Sequence, residues 1–291
     1  MIGVKGIIAN LALSCLFLAT GLQANDLSIG AVPDPNDFRL RLLEAFVERS
    51  ESYDAVEYLG AIEVSAASAL MEQGEVDVVW AATAADLEQQ MQAIYVPIYR
   101  GTLGFRIAIV ERDKADILAS IESLEELREL WACQGKTWTD TRILEANGIT
   151  VAKSLKYANL FRMLEADRCE YFPRGMFEPW SEIDQRPELD LVVDDHILIR
   201  YPSPYLFFVR KGNDALATEM TEVFTQMYDD GSFESMFFSN PQVRMALSQS
   251  NLGQRKIFEF ANPWLTEAVL NIPERYWYRP EIAAANGEDG S

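Results

Sequence analysis

The residues of this chain best suited to chemistry are arginines placed beside chain breaks. Arg174 stands between Pro173 and Gly175, directly after the strand-like stretch 169–172. A side chain there falls at the carboxyl edge of a sheet, where α/β proteins hold their ligands. Its guanidinium is a planar fork that takes a carboxylate or phosphate through two hydrogen bonds. In so acidic a chain the same arginine also fits a structural ion pair, and both readings stand. Arg100, beside Gly101, carries the same two readings. The polar turn 136–141, Lys-Thr-Trp-Thr-Asp-Thr, opens a helix after a strand, and backbone N–H groups at such a turn hold anions. Within it Trp138 and Thr141 are ligand-contact candidates with core and capping alternatives, while Asp140 reads as a helix cap. Trp80 and Tyr99 can floor a cleft by stacking, although aromatics at strand ends more often fill a core. Glu178 can pair with an ammonium group, against a plainer reading as solvated surface.

Other chemistry is excluded by what the chain contains. His196 is the one histidine in 291 residues, so there is no HExxH zinc site, no multi-histidine metal cluster and little basis for a histidine triad. It lies in Asp194-Asp195-His196 and reads as an ion-paired surface residue. Neither Asp194-Asp195 nor Asp229-Asp230 has the alternating oxygen spacing of a calcium loop. No glycine-rich phosphate loop, GxSxG elbow or nucleophilic cysteine signature is present. With 45 acidic against 25 basic residues the formal net charge is -20, which repels phosphate backbones, so nucleic acid is not an expected partner. No cofactor and no metal are signalled.

Such residues need elements to position them, and the pattern supplies alternating strands and helices. Strands are expected at 27–32, 53–59, 76–80, 94–98, 104–110, 131–134, 169–172, 189–193, 197–200 and 205–210. Helices are expected at 38–49, 65–73, from Ser123, at 140–146, 155–165 and 216–228. Asn36 or Asp37 is placed to cap the first helix, and Ser123 with Glu126 forms a capping box. This alternation predicts α/β sheets covered by helices. Two breakpoints, at 100–102 and 201–204, lie about 100 residues apart. They predict a second lobe inserted into the first and joined to it by two hinge crossings: lobe 1 from 25–100 and 204–291, lobe 2 from 101–203.

The first 24 residues differ in kind. Lys5 precedes an apolar run over 7–18, and Ala24 precedes a polar stretch, the pattern of a secretory signal peptide cleaved after Ala24. The run is too short to span a bilayer. Export leaves Cys133 and Cys169, which either pair or remain buried free thiols.

The mature chain resembles the family 3 periplasmic solute-binding proteins, the type II periplasmic binding fold. Four segments carry the resemblance: Leu70-Met-Glu-Gln-Gly74 leading into Val76-Asp77-Val-Val-Trp80; Thr83, where the family places a ligand-touching Ser or Thr; Ser123-Leu-Glu-Glu-Leu127 with Ala132-Cys-Gln-Gly135; and Asp229-Asp-Gly-Ser-Phe233. Where the family has an arginine soon after the Thr83 position, this chain runs Ala84-Ala85-Asp86-Leu87 and has none before Arg100. The resemblance implies a monomeric, non-catalytic periplasmic protein. It would close two lobes on a small polar, anionic or amino-acid-like solute and pass it to the permease of an ABC-type transporter. A dehydratase of the cyclohexadienyl dehydratase kind and a ligand sensor for a receptor are the alternatives on the same fold. The expected ligand-binding set is Arg174, Arg100, Thr83, Trp138, Thr141, Trp80 and Tyr99.

Overall fold

A computed structural model of the chain describes residues 25–280. The expected leader and its cleavage point lie outside those residues. Among the described residues no helix is long and apolar enough to cross a membrane.

The chain opens with β1 (Asp26–Ile29), α1 (Phe38–Val47), β2 (Ala55–Tyr58), α2 (Val64–Glu72), β3 (Val78–Ala82), α3 (Ala85–Gln90) and β4 (Met91–Ile94). It then passes to β5 (Phe105–Glu111), α4 (Leu124–Arg128), β6 (Trp131–Gly135), α5 (Thr139–Ala146), β7 (Thr150–Ser154), α6 (Tyr157–Glu165), β8 (Phe172–Gly175), α7 (Pro179–Asp184), β9 (Leu191–Val193) and β10 (Ile197–Arg200). It returns through β11 (Tyr205–Arg210), α8 (Asp214–Asp229), α9 (Ser232–Ser239), α10 (Pro241–Ser250), β12 (Lys256–Glu259) and α11 (Glu267–Leu270).

One five-stranded sheet has the order β2-β1-β3-β11-β4. β1 runs parallel to β2 and β3, and β11 returns antiparallel between β3 and β4. A second has the order β12-β10-β5-β8 with β9 beside β5, and β6 and β7 form a short parallel pair. Each sheet has its own core because period-2 apolar strands and period-3.6 apolar helices bury matching faces. Under the first sheet α1 buries Leu42, Leu43 and Phe46 against Val78, Phe207 and Phe224. Under the second, Ile197, Ile199 and Tyr171 pack with Leu127, Ile143 and Leu144. A fully buried Phe or Leu contributes about 1.5–3 kcal/mol relative to exposure.

The local stops behave as their residues dictate. Asp37 caps α1 by accepting the Arg39 N–H at 2.9 Å, and Ser123 and Glu126 form a complete capping box on α4. Arg100 and Gly101 have φ of 52° and 78°, a left-handed step that turns the chain out of the first sheet. Cys133 and Cys169 form a disulfide with Cα atoms 5.5 Å apart, which settles the pairing left open above.

The fold departs from expectation at its C-terminal end. Both predicted crossings are present, but 204–291 does not all stay with the first sheet. β12 pairs in parallel with β10 in the second, Lys256 opposite Ile197 and Glu259 opposite Arg200. Arg255 fixes that excursion. Its side chain is fully buried, and it donates to the carbonyls of Ser250, Asp194 and Ile197 at 2.5, 2.6 and 3.1 Å. His196, at the same corner, hydrogen-bonds Asp194 through Nδ1 at 2.9 Å.

Candidate functional site

A cleft of about 1030 Å³ lies between the two sheets, lined from both. On the side of the first sheet it meets Ala82 at the end of β3, Asn36 and Arg39 at the start of α1, and Tyr99 and Tyr205. Ala82 ends β3 and Asn36 follows the parallel β1, so this is the usual ligand edge of an open α/β sheet, where the antiparallel β11 begins at Tyr205. Asp37 both caps α1 and holds the Arg39 Nε at 2.8 and 3.1 Å, while the guanidinium lies 4.8 Å from the ring centre of Trp80. Burial works against the Arg39 charge, and the hydrogen bonds to Asp37 more than offset it, so its pKa is raised.

On the side of the second sheet the cleft meets Arg106 on β5, Arg174 and Gly175 on β8, Trp138 and Asp140 at the start of α5, and Glu178 before α7. Arg106 donates Nε to the Tyr201 hydroxyl at 2.6 Å and Nη2 to Asp140 at 2.5 Å, and the Tyr201 hydroxyl donates in turn to Asp140. Burial opposes the Arg106 charge and the field of Asp140 outweighs it, raising its pKa; burial pushes the Tyr201 hydroxyl well up. Arg174 is 8% exposed. Its Nε lies 3.0 and 2.8 Å from the two Glu182 oxygens, and its Nη2 lies 2.6 Å from Glu182 and 3.0 Å from Glu178. Its guanidinium stacks 5.0 Å from the centres of both Trp138 and Phe172.

The three arginines share one arrangement. Each is held through Nε and Nη2 by groups of the protein, and among the described residues no hydrogen-bond partner meets Nη1. Two of the carboxylates lining the cleft are engaged, Asp140 with Arg106 and Tyr201 and Glu178 with Arg174 and with the Gly175 N–H at 2.7 Å, while a third, Asp184 at the end of α7, is exposed. Gly175 is the hub of this corner. A Cβ there would stand 3.0 Å from Glu178 Oε2 and 3.2 Å from Arg106 Nη1, too close for a side chain without displacing one of them. The arrangement offers arginine donors from both sides of the cleft to an accepting group.

No family model and no curated protein matches the sequence. Solved structures do match the fold. The probable amino-acid ABC transporter extracellular-binding protein YtmK from Bacillus subtilis superposes with a TM-score of 0.54 at 15% identity, covering 76% of this chain and 99% of that one. The GluR0 ligand-binding core in complex with L-glutamate gives 0.50 at 15% identity, covering 73% and 96%. This is the two-lobed fold of the periplasmic binding proteins.

Within that binding-protein fold the seven sequence-derived candidates separate. Arg174, Trp138 and Tyr99 line the cleft. Arg100 does not: its Nη2 pairs with Glu234 at 2.9 Å, and its guanidinium packs over Tyr228, Phe237 and Phe238 on the first-sheet side. Thr83 hydrogen-bonds Glu88 at 2.6 Å, and Thr141, 2% exposed, donates to the Gly135 carbonyl at 2.7 Å; neither is a lining residue. Trp80 lies outside the lining too and acts from behind, under Arg39. Asp140 is not the cap of α5, since the capping position is Trp138 and the Asp140 carboxylate turns to Arg106. Glu178 is engaged with Arg174 rather than solvated alone.

Arg39 and Arg106 were not foreseen. The signal for Arg39 is the Asp37-Phe38-Arg39 spacing at a helix start that follows a strand, and Arg106 carries none within its own strand. Among the described residues no group of three or more His, Cys, Asp or Glu is placed to hold a metal.

Proposed function

We propose that this chain is a periplasmic solute-binding protein that takes a small anionic or amino-acid-like solute into the cleft and presents it to an ABC-type membrane transporter. The observation that carries the reading is the set of Arg39, Arg106 and Arg174, which line one cleft from both of its sides. Guanidinium donors at a cleft of mixed aromatic and polar lining favour a carboxylate or a similar oxyanion. Asp37, Asp140 and Glu182 stabilise the arginines without consuming their last donor. Lobe 1 would then comprise 25–100 with most of the chain after 204, and lobe 2 would comprise 101–203 with β12. Capture of this kind requires no cofactor.

Thermal unfolding of the ligand-stripped protein against amino acids, organic acids, polyamines and phosphorylated solutes tests the reading. An anion at 1,000 times its Kd stabilises the native state by ~4 kcal/mol, a rise of roughly 8–16 °C for a chain of this size. Arg39→Gln removes a cleft donor while Asp37 keeps the backbone N–H of residue 39, and is expected to reduce the rise. A folded protein that responds to no solute at all overturns the proposal.

A further inference from the structure

α10 presents three faces with three fates. Val243, fully buried, enters the core beneath the first sheet. Ala246 enters a cluster with Phe105, Ile107, Met176 and Leu198 of the second-sheet side. Gln242, Met245 and Gln249, spaced three and four residues apart along one helical face, line the cleft. The helix is fixed in this position by Asn240. The Asn240 Oδ1 accepts the N–H groups of Gln242 and Val243 at 3.0 and 3.2 Å, and its Nδ2 donates to the carbonyl of Asn36, itself a cleft residue, at 2.9 Å. Met245 is 61% exposed on this wall. A methionine left open beside a cleft is a flexible, polarisable apolar contact waiting for a partner. Met176, Phe177 and Trp180, at and before α7, extend the same apolar wall.

The cleft therefore has two chemistries. Arg39, Arg106 and Arg174 offer donors; Met245, Trp180 and their neighbours offer apolar surface. Its volume of about 1030 Å³ leaves ample room beyond a head group. We infer that the solute is a carboxylate bearing an apolar tail, the head on the arginine Nη1 groups and the tail against Met245 of α10 and Trp180 of α7. The inference rests on the solute-binding reading and narrows its substrate class.

Titration calorimetry with two homologous series tests it: the straight-chain monocarboxylates from propanoate to octanoate, and the 2-amino acids of the same chain lengths. In the unmodified protein Kd is expected to fall about fourfold for each added methylene in at least one series, the value for transferring one CH₂ out of water. Met245→Gln, at an exposed site that tolerates the change, is expected to flatten that dependence. Arg39→Gln is expected to weaken every member by a common factor and leave the dependence on length intact. Binding of short members with a Kd indifferent to length, or a length dependence that Met245→Gln does not alter, overturns the apolar tail while solute capture stands. Binding by no member of either series, together with no response in the wider solute panel, overturns both.

Discussion

Glu182 is 7% exposed and receives three hydrogen-bond contacts from Arg174 and one from the Tyr157 hydroxyl. The two charges hold each other in a site water barely reaches, so removing one strands the other. Arg174→Ala is expected to destabilise the protein by about 3–5 kcal/mol in urea denaturation, and Arg174→Met combined with Glu182→Leu to recover most of that loss. Full stability in the single variant would show that Glu182 is solvated. The same pair shows what residue-level reading can reach. The place of Arg174 was legible because proline and glycine flank it at a strand end: it lines the cleft, and it is ion-paired there. Arg106 was not legible, because an arginine within an apolar strand looks like the solvent-facing member of an alternating pattern. Its partners Asp140 and Tyr201 are 34 and 95 residues away in sequence, and only folding brings them together.

At the scale of elements, the caps at Asp37 and Ser123 were legible, while the cap of α5 and several short elements were not. α9 follows Gly231 with Phe233, Phe237 and Phe238, and aromatic residues are weak helix formers whose placement here is decided by packing. β12, Lys256-Ile-Phe-Glu259, lacks a β-branched run and takes its conformation from β10 and from Arg255 beside it. The disulfide ties β6 to the segment before β8, a sequence separation of 36 residues. Replacing both cysteines by alanine is expected to cost ~4 kcal/mol by the loop-entropy relation, read as a lowered denaturation midpoint. A loss under 1 kcal/mol would show that the surrounding core holds that register unaided.

A second element-scale test concerns α8. Glu219 on that helix accepts the Ser50 hydroxyl at 2.5 Å and the Glu51 N–H at 3.1 Å, tying α8 to the turn after α1. Burial raises its pKa, but the hydrogen bonds from Ser50, Ser52 and Glu51 prevail and hold it below the usual 4.5. A depressed carboxylate contributes stability above its unfolded pKa and loses it as pH falls through the folded value. The stability gap between the unmodified protein and Glu219→Gln should therefore be constant from pH 7 to about 5 and close as the pH falls towards 3. A gap independent of pH would show that the charge of Glu219 contributes nothing.

For the molecule as a whole, the number of times the chain passes between its two sheets decides how freely they move. The two early crossings were legible from Gly101 and from the prolines at 202 and 204, which break strands visibly. The later ones were not, because their evidence is tertiary. After α10 the chain enters β12 of the second sheet, then returns to place Val269, Ile272 and Tyr276 in the first core. It then closes over the first hinge: the Trp277 ring occupies the space above Gly101, where a Cβ would come within 2.2 Å of it, and the Tyr278 N–H donates to the Arg100 carbonyl at 2.7 Å.

Two crossings leave a hinge that opens by turning a few backbone dihedrals. Four crossings, with α10 packed against both cores, require an edge strand and a buried arginine to move as well. Spin labels at Glu57→Cys on β2 and Glu125→Cys on α4, in a chain carrying Cys15→Ser, read the separation of the lobes directly. Both sites are exposed, and the native pair Cys133–Cys169 is already oxidised. One narrow distance distribution is expected, little changed by a saturating solute. Trp277→Ala, which empties the space above Gly101, should broaden it. A second, longer population in the unmodified chain would show that the strap does not restrain the hinge, and that capture proceeds by opening and closing.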